Sequence, residues 1–448
     1  MESALENRPA GLPPVPRFEL TLAEDAKAAQ DFLAAAARML DRAGASDRIV
    51  AASLRIFMRD AREAFFRRHA PAMYEALTKN CSLPLRVSEL VYAAAEHFPG
   101  LLPSREQIAA ERSLMRQIAK EGREIDQGLF IAHVLADPRC GEHLIHAMLA
   151  PKREALERLP EFKHVGRVEI GATTVERKGD VGIVTHANPQ FLNAEDDASM
   201  AAMETAADLA LLDDNIQVCV LRGGMLDHPK YPRRRIFNAG INLTHLYFGQ
   251  ISFVEFIIER ELGLVNKIYR GHWHGGRYDQ QIEQYTEKPW LAVVESFAIG
   301  GGCQLLCVMD RVIAEPGSYF NLPASKEGFI PGSANLRLPR LVGIKEARQG
   351  IFFEKKFHAG TPEGMMICDE VVAPEEMEDA IARNAAQMVR AGFTSTVSNR
   401  KALRVGQEPL DVYRRYMAVY SRQQCLCFYD PALIGNLEHS WQPERRRM

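Results

Sequence analysis

Net charge is nearly absent from this 448-residue chain, at −3, and tryptophan is scarce, at three residues. A balance so close to neutral supplies no field for gathering nucleic acid or an anionic membrane surface, and neither is expected as a partner. Long apolar runs are missing too, since none approaches the roughly 20 residues that span a bilayer. The N-terminal MESALENRPAGLPPVPRFEL has no basic head before an apolar stretch and does not read as a signal peptide. The eight cysteines are irregularly placed and make no disulfide framework. Neither Cys303 with Cys307 nor Cys425 with Cys427 has a second pair at zinc spacing, so no metal site is expected. These absences point to a cytoplasmic protein with reduced thiols. What is present is a 47% hydrophobic content, ample for a large core, in a length that suggests two or three packed units.

Periodicity divides the chain. After a Pro-rich arm over residues 1–18, apolar residues recur at three- and four-residue intervals through AEDAKAAQDFLAAAARMLDRAG, DRIVAASLRIFMRDAREAFFRRHAPAMYEALT and SREQIAAERSLMRQIAKEG. Residues 1–160 therefore read as a helical domain. Near Gly166 the period changes: GRVEIGATTVERKGDVGIVTHANP alternates and turns at RKGD, as paired strands do. Helices and short buried strands then alternate, with IQVCVLRG and PWLAVVESF as strands and SFVEFIIERELGLVNKIYR as a helix. Residues 161–375 read as a layered α/β core. Residues 376–448 return to helix and are a candidate for assembly.

The stretch AIGGGCQLLCVMD, Ala298 to Asp310, places Gly300, Gly301 and Gly302 between a strand and a short helix. Bare backbone there lets a ligand approach closely, and the first amides of the helix attract an anion or a developing oxyanion. A tight turn without a ligand is the alternative. No Gly-Lys-Ser/Thr follows, which excludes a phosphate loop. A second small-residue turn, Ala239-Gly240-Ile241, lies about 60 residues upstream in RRRIFNAGINLTHLY. Two such turns can make a two-donor oxyanion hole, each donor contributing roughly 3–4 kcal/mol.

The motifs FNAGIN, IGGGCQ and DRVIAEP, in that order over about residues 166–400, resemble the crotonase (enoyl-CoA hydratase/isomerase) superfamily. The resemblance implies a spiral of ββα units, with an all-helical N-terminal domain and C-terminal helices added. It implies an acyl-CoA substrate whose thioester oxygen sits on the amides of Ile241 and Gly301, and assembly as a homotrimer or a dimer of trimers. Gly240, Gly300 and Gly302 then count as substrate-binding positions. The basic loop HPKYPRRRIF, otherwise a solvated charge run, becomes a candidate coenzyme A phosphate site through His228, Lys230, Tyr231, Arg233, Arg234, Arg235 and Ala239, with Lys401 a further candidate. Hydratases of the superfamily commonly carry a glutamate where this chain has Gln304. Glutamine has no ionisable proton near neutral pH, so ordinary hydration is not expected.

The long N-terminal extension, HPKYPRRR, FIIERELG, YRGHWHGGRYDQQIEQYTEKPW and IGGGCQLLCVMD are together similar to the cofactor-independent oxygenase branch of the superfamily. That likeness implies oxidation of a (3,5-dihydroxyphenyl)acetyl thioester by O2, with no metal, flavin or nicotinamide, to the arylglyoxylate and free CoA. The setting implied is dihydroxyphenylglycine formation in glycopeptide antibiotic biosynthesis. It also pairs Glu195 with Arg260 on a ring hydroxyl. From the residues alone, Arg260 reads as an exposed helix charge between Glu259 and Glu261, and Glu195 as a helix start. Ile241, Leu243, Ile299 and Leu305 are candidates to line a dry O2 pocket. His272 and His274 have no matched carboxylate motif and read as structural or lid residues. Two other readings stay open: a crotonase-type hydrolase or isomerase, recognised by turnover without O2, and a non-catalytic CoA-binding assembly protein.

Overall fold

The change of period near Gly166 is a change of architecture. The computed structural model describes residues 8–43, 47–274 and 285–446. Upstream lie α1 (Leu22–Ala43), α2 (Arg48–Leu77), α3 (Val87–His97), α4 (Arg105–Arg112), α5 (Glu124–Ala136), α6 (Pro138–Leu149) and α7 (Arg153–Val165). Local signals set their ends. Asp137 accepts from the Cys140 amide with Pro138 in the first turn of α6, and Gly166 closes α7 in the left-handed conformation at φ 77°. The single helix expected over SREQIAAERSLMRQIAKEG is corrected. α4 stops at Arg112, and the chain doubles back so that the Glu111 carboxylate accepts from the amides of Gly122 and Arg123.

Downstream come β1 (Arg167–Ile170), β2 (Thr173–Lys178), β3 (Val181–His186), α8 (Asp197–Leu212), β4 (Val218–Gly223), the ribbon β5 (Met225–His228) and β6 (Tyr231–Arg235), and α9 (Leu243–Tyr247). Residues 253–270 form one helix, but not the regular one expected. Two wide π-helical stretches, Phe253–Ile258 and Glu261–Val265, precede α10 (Asn266–Arg270). Such widened turns recur at functional sites, and Arg260 sits between the two. The chain continues through β7 (His272–Trp273), β8 (Tyr285–Thr286), β9 (Trp290–Val294), β10 (Phe297–Ile299), α11 (Gly301–Leu306), β11 (Arg311–Ala314), β12 (Tyr319–Asn321), α12 (Ala324–Glu327), α13 (Ala334–Phe353), β13 (Phe357–His358) and β14 (Glu370–Val371). It ends in α14 (Met377–Val389), α15 (Phe393–Gln407), α16 (Leu410–Phe428) and α17 (Pro431–Ser440).

The main sheet runs β1-β2-β3-β4-β9-β11-β14. β1 to β3 are antiparallel, and β3, β4, β9, β11 and β14 are parallel, with Val184 opposite Leu221, Leu221 opposite Ala292 and Ala292 opposite Val312. β4 and β9 are buried along their whole length, which is why both read as unbroken apolar runs. A smaller sheet, β10-β12-β13, leaves the first at the turn after β9. This is the crotonase-like α/β spiral with helical N- and C-terminal additions. The helices at both ends share one apolar core: Phe66, Leu90 and Phe130 pack in the same cluster as Tyr413, Met417 and Phe428 of α16. No helix among the described residues is long and apolar enough to cross a membrane.

Candidate active site

β10 carries the glycine turn to its place. Its Ile299 amide donates to the Asn238 carbonyl at 3.0 Å, so the turn after β10 and the turn at Ala239–Ile241 lie side by side. Their approach needs glycine: Gly240 has φ 82° and Gly300 φ 52°, and a Cβ on Gly240 would come within 2.9 Å of the Ile299 carbonyl oxygen. The Gly240 amide is used internally, by Asn238 Oδ1 at 2.7 Å. Among the described residues no acceptor takes the amides of Ile241 or Gly301. As the first residue of α11, Gly301 has no partner within its helix. The two amides named from the sequence are thus both free and on adjacent turns.

Behind them the wide helix presents Arg260, only 4% exposed. Its five N–H groups are all engaged. Nε meets Glu195 Oε2 at 2.5 Å and Nη2 meets Glu195 Oε1 at 3.1 Å; Nη1 meets Glu261 Oε1 at 2.8 Å and Gln304 Oε1 at 2.9 Å; Nη2 also meets the Gly301 carbonyl at 2.8 Å. Burial alone would lower the guanidinium pKa, but Glu195 and Glu261 outweigh it and raise it. Glu195 is 1% exposed and also accepts from Asn238 Nδ2 at 2.7 Å. It is not the start of α8, because Asp196 caps that helix by accepting from the Ser199 amide. Arginine only donates, so Gln304 must turn its amide oxygen toward Arg260. That leaves its NH2 group without an acceptor among the described residues, on a side chain that lines the small cavity.

Two spaces lie beside the glycine turns, and their linings share Ile241 and Glu327. The smaller, about 60 Å³, is walled by Glu195, Ile241, Arg260, Gly300, Gly301 and Gln304 on one side. Phe256, Phe329, Ile330, Tyr420 and Gln424 line it too, with Glu261 and Glu327. The larger, an open cleft of about 610 Å³, includes His228, Lys230, Tyr231 and Ala239 from the candidate coenzyme A set, and Ile241, Leu243 and Ile299 from the candidate apolar lining. Gly240 and Gly302 back the turns without lining either space. Leu305 is corrected: it is 1% exposed and packs in the sheet-side core, because the α11 face that carries it looks inward. The remaining basic candidates do not line the cleft. Arg234 pairs with Glu315, Arg235 donates to the Gly223 carbonyl at 3.2 Å, Arg233 is exposed, and Lys401 donates to the Tyr285 carbonyl at 3.2 Å.

Sequence reasoning missed the contribution of the C-terminus. α16 supplies Tyr420 and Gln424 to the small cavity, and Gln424 Oε1 holds the Ile330 amide at 2.9 Å. Trp441, Arg445 and Arg446 border the large cleft; Trp441 is anchored by its indole N–H on Thr244 Oγ1 at 3.1 Å. The only sequence signal was the basic run ERRRM. His272 is fully buried and bonds Asp208 at 2.7 Å, and His274 bonds Thr286. The rest of YRGHWHGGRYDQQIEQYTEKPW at 275–284 lies outside the described residues. Among the described residues no three His, Cys, Asp or Glu side chains cluster as metal ligands.

Two free amides on adjacent turns, backed by a buried arginine–carboxylate web, make up the candidate active site. Residues 176–420, more than half of the chain, match the enoyl-CoA hydratase/isomerase family, and the chain belongs to it. Over 380 residues, 85% of this chain and 86% of the relative, it is 46% identical to the (3,5-dihydroxyphenyl)acetyl-CoA 1,2-dioxygenase of Amycolatopsis orientalis. It is 26% identical to the short-chain-enoyl-CoA hydratase of Clostridium acetobutylicum over 54% of this chain and 84% of that one. Among solved structures it resembles an enoyl-CoA hydratase/isomerase from Xanthobacter autotrophicus Py2 at a TM-score of 0.50 and 18% identity, covering 62% of this chain and 96% of that one. At that identity the likeness concerns the fold.

Proposed function

We propose that this chain is a cofactor-independent oxygenase that converts (3,5-dihydroxyphenyl)acetyl-CoA and O2 to 3,5-dihydroxyphenylglyoxylate and CoA, a step of dihydroxyphenylglycine formation. The observation that carries the reading is Gln304: the place of a hydratase acid/base group holds an amide whose oxygen is committed to Arg260. A site built this way forms an enolate but has no acid at that position to complete a hydration. The thioester oxygen rests on the Ile241 and Gly301 amides, where charge develops as the enolate forms. With all five Arg260 donors used, a ring hydroxyl is bound by donating to Glu195, whose two oxygens Arg260 holds in place. The small cavity is well below the roughly 150 Å³ that takes up benzene. Ring entry therefore requires the half-buried Phe329 and Ile330 to yield. In this reading the pantetheine and nucleotide lie along the cleft, and Lys230 and Arg445, which line it, bind phosphate.

The electron-rich enolate reduces O2 to a radical pair, and recombination gives a peroxide that attacks the thioester carbonyl. The residues supply orientation and charge stabilisation, with Ile241, Phe256, Phe329 and Ile330 as the apolar part of the wall. Assembly as a trimer or paired trimers is part of the proposal and is supported by exposed Ile344, Phe352 and Phe353 on α13 and Leu403 on α15. The test is O2 uptake by metal-stripped protein supplied with (3,5-dihydroxyphenyl)acetyl-CoA, with both oxygen atoms of labelled O2 expected in the acid. Thioester turnover without O2 uptake, or uptake that needs added metal, overturns it.

A further inference from the structure

Glu327 ends α12 and, with Ile241, is one of the two residues that line both the small cavity and the large cleft. It therefore stands at the border of the two spaces. Ile241, which offers the amide assigned to the thioester oxygen, lines the same border, so the candidate oxyanion hole and this carboxyl share the space that would take the α-carbon, one atom beyond the carbonyl carbon. Every other carboxylate of the small cavity is committed. Glu195 is held by Arg260 and Asn238, and Glu261 by Arg260 through one oxygen and by the Ser333 amide and hydroxyl, at 2.9 and 2.6 Å, through the other. The Tyr420 hydroxyl is pushed well above its ordinary range by burial and by Glu261. Among the described residues the Glu327 carboxyl has no hydrogen-bond or ion-pair partner.

Burial pushes its pKa up to about 8, with Glu354 adding to the effect and Lys326 opposing it. The other charged side chains that line the two spaces are Arg260, Glu195 and Glu261 in the small cavity and Lys230, Lys326, Arg445 and Arg446 in the cleft. A carboxyl in that range holds both ionisation states near neutral pH and is matched to moving a proton.

We propose that Glu327 is the proton acceptor and donor of this site, taking a proton from the α-carbon of the bound arylacetyl thioester and returning it to the departing coenzyme A sulfur. The assignment rests on the oxygenase reading above. In the first step the α C–H bond breaks, its electron pair remains on the substrate as the enolate, and an O–H bond forms on Glu327. O2 then takes up the enolate's electrons and becomes bonded to the α-carbon as a peroxide. When the peroxide oxygen attacks the carbonyl, the C–S bond breaks, sulfur leaves with the pair, and the Glu327 proton passes to it. The second α-proton departs to solvent as its C–H pair cleaves the O–O bond, leaving the keto acid. The α-carbon loses four electrons and O2 gains four.

The test uses the full-length protein and (3,5-dihydroxyphenyl)acetyl-CoA deuterated at the α-carbon, with deuterium washout followed by NMR under anaerobic conditions. Glu327→Gln is expected to slow washout by about 100-fold or more while thioester affinity stays near that of the parent. Glu327→Asp, which keeps the carboxylate one methylene short, is expected to retain washout between the two. Equal washout in parent and Glu327→Gln overturns the assignment and leaves the oxygenase reading standing. Absence of washout in the parent overturns it as well. Parent washout lost in the variant, in a protein that consumes no O2 in air, keeps Glu327 as the base and overturns the oxygenase reading instead.

Discussion

Arg260 and Lys267 sit on the same widened helix, both buried and both between carboxylates, yet they serve different ends. Lys267 is fully buried, 2.8 Å from Glu204 and 2.8 Å from Asp208, and this web continues to Arg86 at 2.9 Å and to His272 at 2.7 Å. None of these residues borders the small cavity or the large cleft. They join the loop before α3, α8 and the wide helix, and so tie the N-terminal helices to the α/β core. The Arg260 web has the same ingredients but forms a cavity wall beside two free amides. Both webs are buried, so buried charge by itself does not mark a site. What marks it is a charge web that faces space a ligand can enter.

The comparison breaks most sharply at Arg260. Arg260→Leu leaves Glu195 and Glu261 buried without their counter-charge and is expected to cost about 3–5 kcal/mol of stability. It should also lower turnover by about 10²–10³-fold, measured by denaturant unfolding alongside O2 uptake. Lys267→Met is expected to lose a similar amount, roughly 3–5 kcal/mol, with kcat and KM of the folded enzyme unchanged; a selective loss of kcat would put Lys267 in the chemistry of the site.

A third buried web provides the pH control. Burial would raise the Glu408 pKa, but Arg337, Arg270 and Arg340 outweigh it and hold the carboxyl at about 2, against an ordinary 4.5. A depressed folded value adds stability that is complete above the unfolded value and is lost as pH falls from about 4.5 toward 2. It amounts to roughly 3 kcal/mol. Asp208 and Glu204 are lowered as well, by Lys267 among others, and act in the same direction. Acid unfolding should therefore set in below about pH 4.5 and flatten in Glu408→Gln, read from the unfolding midpoint against pH. The smallest of these effects is expected from Gly301→Ala, whose Cβ would sit 2.8 Å from Glu195 Oε2 and 2.9 Å from Arg260 Nη2. The resulting shift should lower turnover by about 10²-fold with little change in unfolding, checked by steady-state O2 uptake.

The legible parts of the site were those built from contiguous backbone. Gly300, Gly301, Gly240 and Ile241 could be named because a small-residue turn shows in the sequence and its amides belong to the turn itself. Arg260 could not be placed from its own neighbours: between Glu259 and Glu261 it has the pattern of a solvated helix face, and the resemblance alone argued otherwise. Phe329, Tyr420, Gln424, Glu327 and Arg445 were not legible as site residues, since each comes from a separate element and none carries a local signature. The helix expected through Leu114 to Gly122 failed because the Glu111 carboxylate offers those amides a different partner.

The sequence by itself determined the switch from helical to α/β architecture at Gly166, the buried central strands and the pair of glycine turns, because periodicity and glycine's missing Cβ act within a few residues. It also determined that Gln304 has no proton to give. Only the tertiary structure decided which charges are buried, which amides stay free and which carboxylate is left without a partner. Burial, desolvation and hydrogen-bond competition depend on what distant segments bring to the same few ångströms.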